Sequence, residues 1–63
     1  MKVSTGDILF RKAHGSHWLI TNITSCTNDV YQLDVLELES GKWMTYTSPF
    51  GLDIPDTSFY KVA

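Results

Sequence analysis

Between Asp29 and Thr47 the chain alternates, turns and returns. Tyr31, Leu33 and Val35 share one side of an extended segment, and Leu36 and Leu38 take up the other. Ser40-Gly41 marks a turn, and Trp43 to Thr47 lead back. A period-two pattern specifies β-strand. Apolar side chains that change sides midway require a bulge or sharp bend, as in long strands serving two packed sheets of a small barrel. The segment therefore commits the chain to a compact all-β fold.

Sixty-three residues suffice for one domain, residues 1–63. A chain this short buries only about 60% of the surface its unfolded form exposes, so small domains add disulfides, metals or an oligomeric partner. Cys26 is the only cysteine, which rules out an internal disulfide. Stability must come from apolar packing or from association. Eight aromatics, Phe10, Trp18, Tyr31, Trp43, Tyr46, Phe50, Phe59 and Tyr60, are enough to fill one core and leave one or two outside as binding candidates.

Four other segments complete the strand pattern. Gly6-Asp7 opens a strand over 8–12, with Ile8 and Phe10 facing one way and Leu9 and Arg11 the other. After the Ala13–Ser16 connection, Trp18 to Thr24 is rich in β-branched residues; Trp18 and Ile20 share one face, Leu19 and Ile23 the opposite one. Ser25 to Asn28 forms a turn, with Asn28 and Asp29 both tolerant of left-handed backbone. With a two-residue Ser40-Gly41 loop, Glu39 stands opposite Lys42, Leu38 opposite Trp43 and Val35 opposite Tyr46; a four-residue loop is the alternative. The stretch 48–56 carries two prolines and the apolar Phe50, Leu52 and Ile54, and reads as a lid over the open end of a barrel, with one helical turn near Pro55–Ser58. Phe59 to Val62 closes the pattern by pairing with the first strand. The expected fold is a small, five-stranded, mostly antiparallel barrel.

Five short strands, tight turns and a one-turn element before the last strand resemble a Src-homology-3-type barrel. The opening Gly6-Asp7-Ile8-Leu9-Phe10-Arg11, with Gly15 and Trp18-Leu19-Ile20, is similar to the start of KOW-type modules and of short phage and bacterial proteins. The KOW resemblance implies nucleic-acid binding. Against it stand the missing second glycine and the Ser16-His17-Trp18 that follow Gly15, where that family carries basic residues. Barrels of this type imply no active site.

Chemistry-bearing residues are sparse. His14, His17 and Cys26 fall one ligand short of a zinc set unless Asp7 or Asp29 joins them. No local signature supports a Cys–His nucleophile, and Asp34 falls on the opposite strand face from Glu37 and Glu39. The chain is expected to have no catalytic residues, metal or cofactor. The polar N-terminus lacks the apolar core of a signal peptide and the lone cysteine suits a reducing compartment, which places the protein in the cytoplasm of the producing or host cell.

Formal charge is −2, and Asp29, Asp34, Glu37 and Glu39 lie in a stretch without a basic residue. Solvated strand faces account for such a run; as a functional stripe, it would meet a partner with a basic surface. The expected function is non-catalytic protein binding through Asp34, Glu37, Glu39, Trp43, Tyr46 and Phe50, in the sharper form a phage-encoded modulator or inhibitor of a host or defence protein. The alternative is a nucleic-acid-binding barrel using Arg11, Lys12, Trp18 and Lys61. Unpaired strand edges allow a homodimer in either case.

Overall fold

A computed structural model describes residues 1–49 and 51–62. Five antiparallel strands, β1 (Ile8–Arg11), β2 (Ser16–Thr27), β3 (Val30–Glu37), β4 (Lys42–Ser48) and β5 (Phe59–Lys61), form one sheet in the order β4-β3-β2-β1-β5. The expected all-β class and the pairing of the last strand with the first both hold. The sheet is not closed by hydrogen bonds, because β4 and β5 occupy its two edges. It curls instead, far enough that Tyr46 of β4 and Phe59 of β5 meet edge-on, with ring centroids 5.8 Å apart.

The core lies on the inner face of this curl. Leu9, Trp18, Ile20, Leu33 and Val35 are buried there, with Val3, Ile54 and Phe59 contributed from outside the central strands. Trp18, Tyr46 and Phe59 form an aromatic triangle at one end, and the Arg11 guanidinium stacks 5.0 Å from the Trp18 ring centroid. Arg11 thus covers an aromatic that would otherwise meet water, a cation–π arrangement.

Curling depends on β2. Its register against β3 slips by one residue between Ile20 and Asn22 and again between Ser25 and Thr27, so Thr21 and Cys26 are the extra residues of two bulges. The Thr21 hydroxyl donates to the Asp34 carbonyl at 3.0 Å, which steadies the first bulge. The bend thus lies in β2, and β3, for which the sequence pattern required it, runs in unbroken register against β4. The apolar residues on both sides of β3 serve two faces without any switch. The same bulge corrects the face of Ile23: it is placed opposite buried Leu33 and packs on the core, where simple alternation had grouped it with Leu19. β2 also runs to Thr27, three residues past the expected end, so the turn shrinks to Asn28-Asp29, with Asp29 left-handed at φ 57°.

The β3–β4 hairpin uses the four-residue loop, Leu38 to Gly41, with Glu37 opposite Lys42 and Leu36 opposite Trp43. The two-residue register fails because local hydrogen bonds favour the longer loop. Gly41, at φ 71°, donates its N–H to the Glu37 carbonyl, and the Ser40 hydroxyl bonds both Glu37 and the Lys42 N–H. The shift is by two residues, so every side chain keeps its face.

The lid segment does reach the core through Ile54, while Leu52 is half-buried; Phe50 lies outside the described residues. Residues 1–3 pair with it: Val3 donates to the Leu52 carbonyl and Ile54 to that of Met1. The Met1 ammonium bonds Asp53 and Asp56 at 2.7 and 2.9 Å, and these carboxylates raise its pKa. The helical turn expected near Pro55–Ser58 is a simple turn. The Pro55 carbonyl accepts from both Ser58 and Phe59, and no further helical bond follows.

A domain of this size has about 3–9 kcal/mol of stability to lose. Ile54 is 1% exposed, so Ile54→Ala is expected to remove about 2–5 kcal/mol, a large share of that total, and to lower the melting temperature by about 10 °C or more in thermal unfolding followed by circular dichroism.

Candidate protein-binding face

The outer face of the sheet is built by the residues that alternate with the core. In register across four strands stand Ile8, Leu19, Leu36 and Trp43. Cross-strand partners share a face, so these four form one apolar row running from β1 to β4. Ile8, Leu19 and Leu36 are half-buried, and Trp43 at the end of the row is 69% exposed. Beside it lies a second row, Tyr60, Phe10 and His17, with Phe10 set 5.0 Å from the His17 ring and 5.1 Å from Tyr60. Leu38, 45% exposed, extends the apolar surface where its N–H meets the His17 carbonyl. Polar rows follow on β2, β3 and β4: Asn22, Asp34 and Thr45, then Thr24, Gln32 and Thr47.

Two acids border the apolar rows. Asp34 is half-buried on the outer face, next to Leu36 by alternation. Glu39, in the loop, accepts from the His17 backbone N–H at 2.7 Å and meets its ring Nδ1 at 2.5 Å. The His17 N–H, then its ring, hold the Glu39 carboxyl below its ordinary pKa. Lys42, expected to partner Glu39, stands opposite Glu37 instead. Glu37 belongs by alternation to the inner side of β3 and accepts from the Ser40 hydroxyl. Asp34, Glu37 and Glu39 therefore do not line up as a stripe; two of them flank an apolar patch.

The remaining sequence-derived residues separate. Trp43 is the exposed aromatic that the sequence sought, whereas Tyr46 is drawn inward against Trp18 and Phe59. Phe50 lies outside the described residues. Trp18 is 2% exposed and offers no open ring for base stacking. Arg11 is committed to that ring, Lys12 donates to the Asp56 carbonyl at 2.8 Å, and Lys61 pairs with Asp7 at 3.2 Å. Burial pushes the Asp7 carboxyl up, but the Ser4 N–H and Lys61 together outweigh it and leave the pKa lowered.

His17 and Cys26 lie near opposite ends of the twelve-residue β2, and His14 lies in the connection before it. Among the described residues no three of His, Cys, Asp and Glu come together as metal ligands. Also among these residues, no helix is long and apolar enough to cross a membrane. From the sequence alone, Ile8, Leu19 and Leu36 belong to no site, His17 is a candidate zinc ligand, and Phe10 and Tyr60 are two of the eight aromatics. The available signal was the apolar character of both faces of β2 and β3, which a barrel interior alone does not require.

Comparison with protein-family models, with curated proteins and with solved structures returned no match.

The Glu39 contacts set a pH dependence. A carboxyl whose folded pKa is lowered stabilises the fold above its unfolded value, here 4.5, and that contribution is lost as the pH falls through the lower folded pKa. Glu39→Gln is expected to flatten the acid limb of the melting temperature below pH 4.5 relative to the parent chain, as read by thermal melts across the acid range.

Proposed function

We propose that this protein is a non-catalytic protein-binding module of the Src-homology-3-type small-barrel class, acting through the outer face of its sheet. The observation that carries the reading is the apolar row ending on Trp43. Contiguous apolar surface of this kind is costly to leave in water and marks interaction sites. An exposed tryptophan in such a patch supplies large, rigid contact area, and polar groups around the patch exclude water from the rim. Asp34 and Glu39 on the border favour a partner that is apolar at its centre and basic at its edges. A short acidic chain with one such face suits a modulator or inhibitor, such as a phage product that occludes a host or defence protein.

The KOW-like alternative asks for a basic groove beside open aromatic rings. Nothing in the placement of Arg11, Lys12 and Lys61 favours it, since each is engaged with a different part of the molecule.

The test compares tagged parent protein with Trp43→Ala and Glu39→Lys in nuclease-treated lysate of the native or host cell. The reading expects one stoichiometric protein held by the parent, reduced at least about tenfold by Trp43→Ala, a loss typical of an aromatic anchor. Retention that disappears on nuclease treatment, or that ignores Trp43, would sink it.

A further inference from the structure

The two edges of the sheet differ. β5 is three residues long and ends on the charged Lys61, features that discourage pairing with another chain. β4 has seven residues, no bulge against β3, no proline, and a single charge at its first position. Among the described strands its backbone pairs with β3 alone.

Its free hydrogen-bonding groups can be assigned. The Leu38 N–H donates to the His17 carbonyl, one residue beyond the Trp18–Glu37 pair on each strand. In an antiparallel ladder, that places Trp18 and Glu37 in a non-hydrogen-bonded pair, so Glu37 turns its own N–H and C=O toward β4. Alternation gives Val35, Leu33 and Tyr31 the same direction, opposite Met44, Tyr46 and Ser48. The Asp34 carbonyl, which accepts from Thr21 of β2, points the other way, as the alternation demands. The intervening residues of β4, Trp43, Thr45 and Thr47, therefore direct their N–H and C=O groups off the edge of the sheet. All three are exposed.

We propose that this edge pairs with the same edge of a second copy, antiparallel, about a two-fold axis at Thr45. In that register Thr45 faces Thr45 of the other copy, and Trp43 faces Thr47 in both directions. All six outward groups on each copy then find partners, forming six hydrogen bonds. A slip of two residues in either direction leaves part of the set unpaired. On the inner side, half-buried Met44 comes opposite half-buried Tyr46. Lys42, the one charge of the strand, comes opposite Ser48, so no charge faces its own copy. A strand that complements itself in hydrogen bonding, apolar contact and charge fits a second copy better than an unrelated peptide. One strand edge buries less than the roughly 1,600 Å² of a standard interface, so the dimer is weak and concentration-dependent. The outer apolar rows remain open on both copies, and the dimer does not rest on the binding role proposed for them.

Sedimentation equilibrium over a range reaching about 1 mM tests this, together with amide hydrogen exchange and two variants. The parent is expected to pass from one chain to two, while the Trp43, Thr45 and Thr47 amides become slower to exchange as concentration rises. Thr45→Lys sets like charges face to face at the axis and is expected to weaken the dimer about tenfold or more, with an unchanged circular dichroism spectrum. Thr45→Cys, in a Cys26→Ser background, places two thiols at a Cα separation of about 5.5 Å, within disulfide range, and is expected to oxidise to a covalent dimer. A parent chain that stays monomeric throughout overturns the proposal. So does a dimer that Thr45→Lys leaves intact while the three amides exchange freely.

Discussion

The extra residue at Thr21 is the constraint on which the rest of the molecule depends. β2 pairs with β1 from Ser16 to Leu19 and with β3 from Trp18 to Thr27, so the bulge sits where the strand passes from two partners to one. An unbroken strand would place Ile20 inside and Ile23 outside. With one residue inserted, both face the core, opposite Val35 and Leu33. The local increase in twist that accompanies a bulge lets the sheet curl until its edge strands meet through Tyr46 and Phe59. Thr21 also suits the position chemically, because its hydroxyl satisfies the Asp34 carbonyl beside the interrupted ladder.

A sheet curled in this way has an inside too small for all its apolar side chains. Leu9, Trp18, Ile20, Leu33, Val35, Ile54 and Phe59 fill it, with Val3. The residues alternating with them, Ile8, Leu19, Leu36 and Trp43, are carried to the outer face in one row. The same alternation governs the backbone of β4, turning four residues toward β3 and three toward solvent. The binding face and the open edge thus come from one geometric fact, the period of two, acting on side chains in one case and on amides in the other.

Legibility in the sequence followed the range of the interactions involved. Strand content, the β1–β5 pairing and the burial of Ile54 could be read from alternation, turn residues and an apolar loop. Trp43 was recognisable as a candidate anchor because aromatics outnumbered the places available in a small core. The hairpin register was not, since Ser40-Gly41 is compatible with a tight turn and only the Glu37–Gly41 and Ser40 bonds select the longer loop. Glu39 looked like a partner for nearby Lys42, yet the sheet brings it to His17, twenty-two residues away.

By itself, the sequence determined that the chain is all-β, with five strands and a glycine-bearing hairpin, because those features rest on periodicity and on the backbone preferences of single residues. Only the tertiary structure decided where the bend falls, which aromatics are hidden and which acids stand alone. Those outcomes depend on one inserted residue in β2 and on cross-strand neighbours distant in the chain. A one-residue slip reverses every face beyond it, and nothing local in Ile20-Thr21-Asn22 announces that slip.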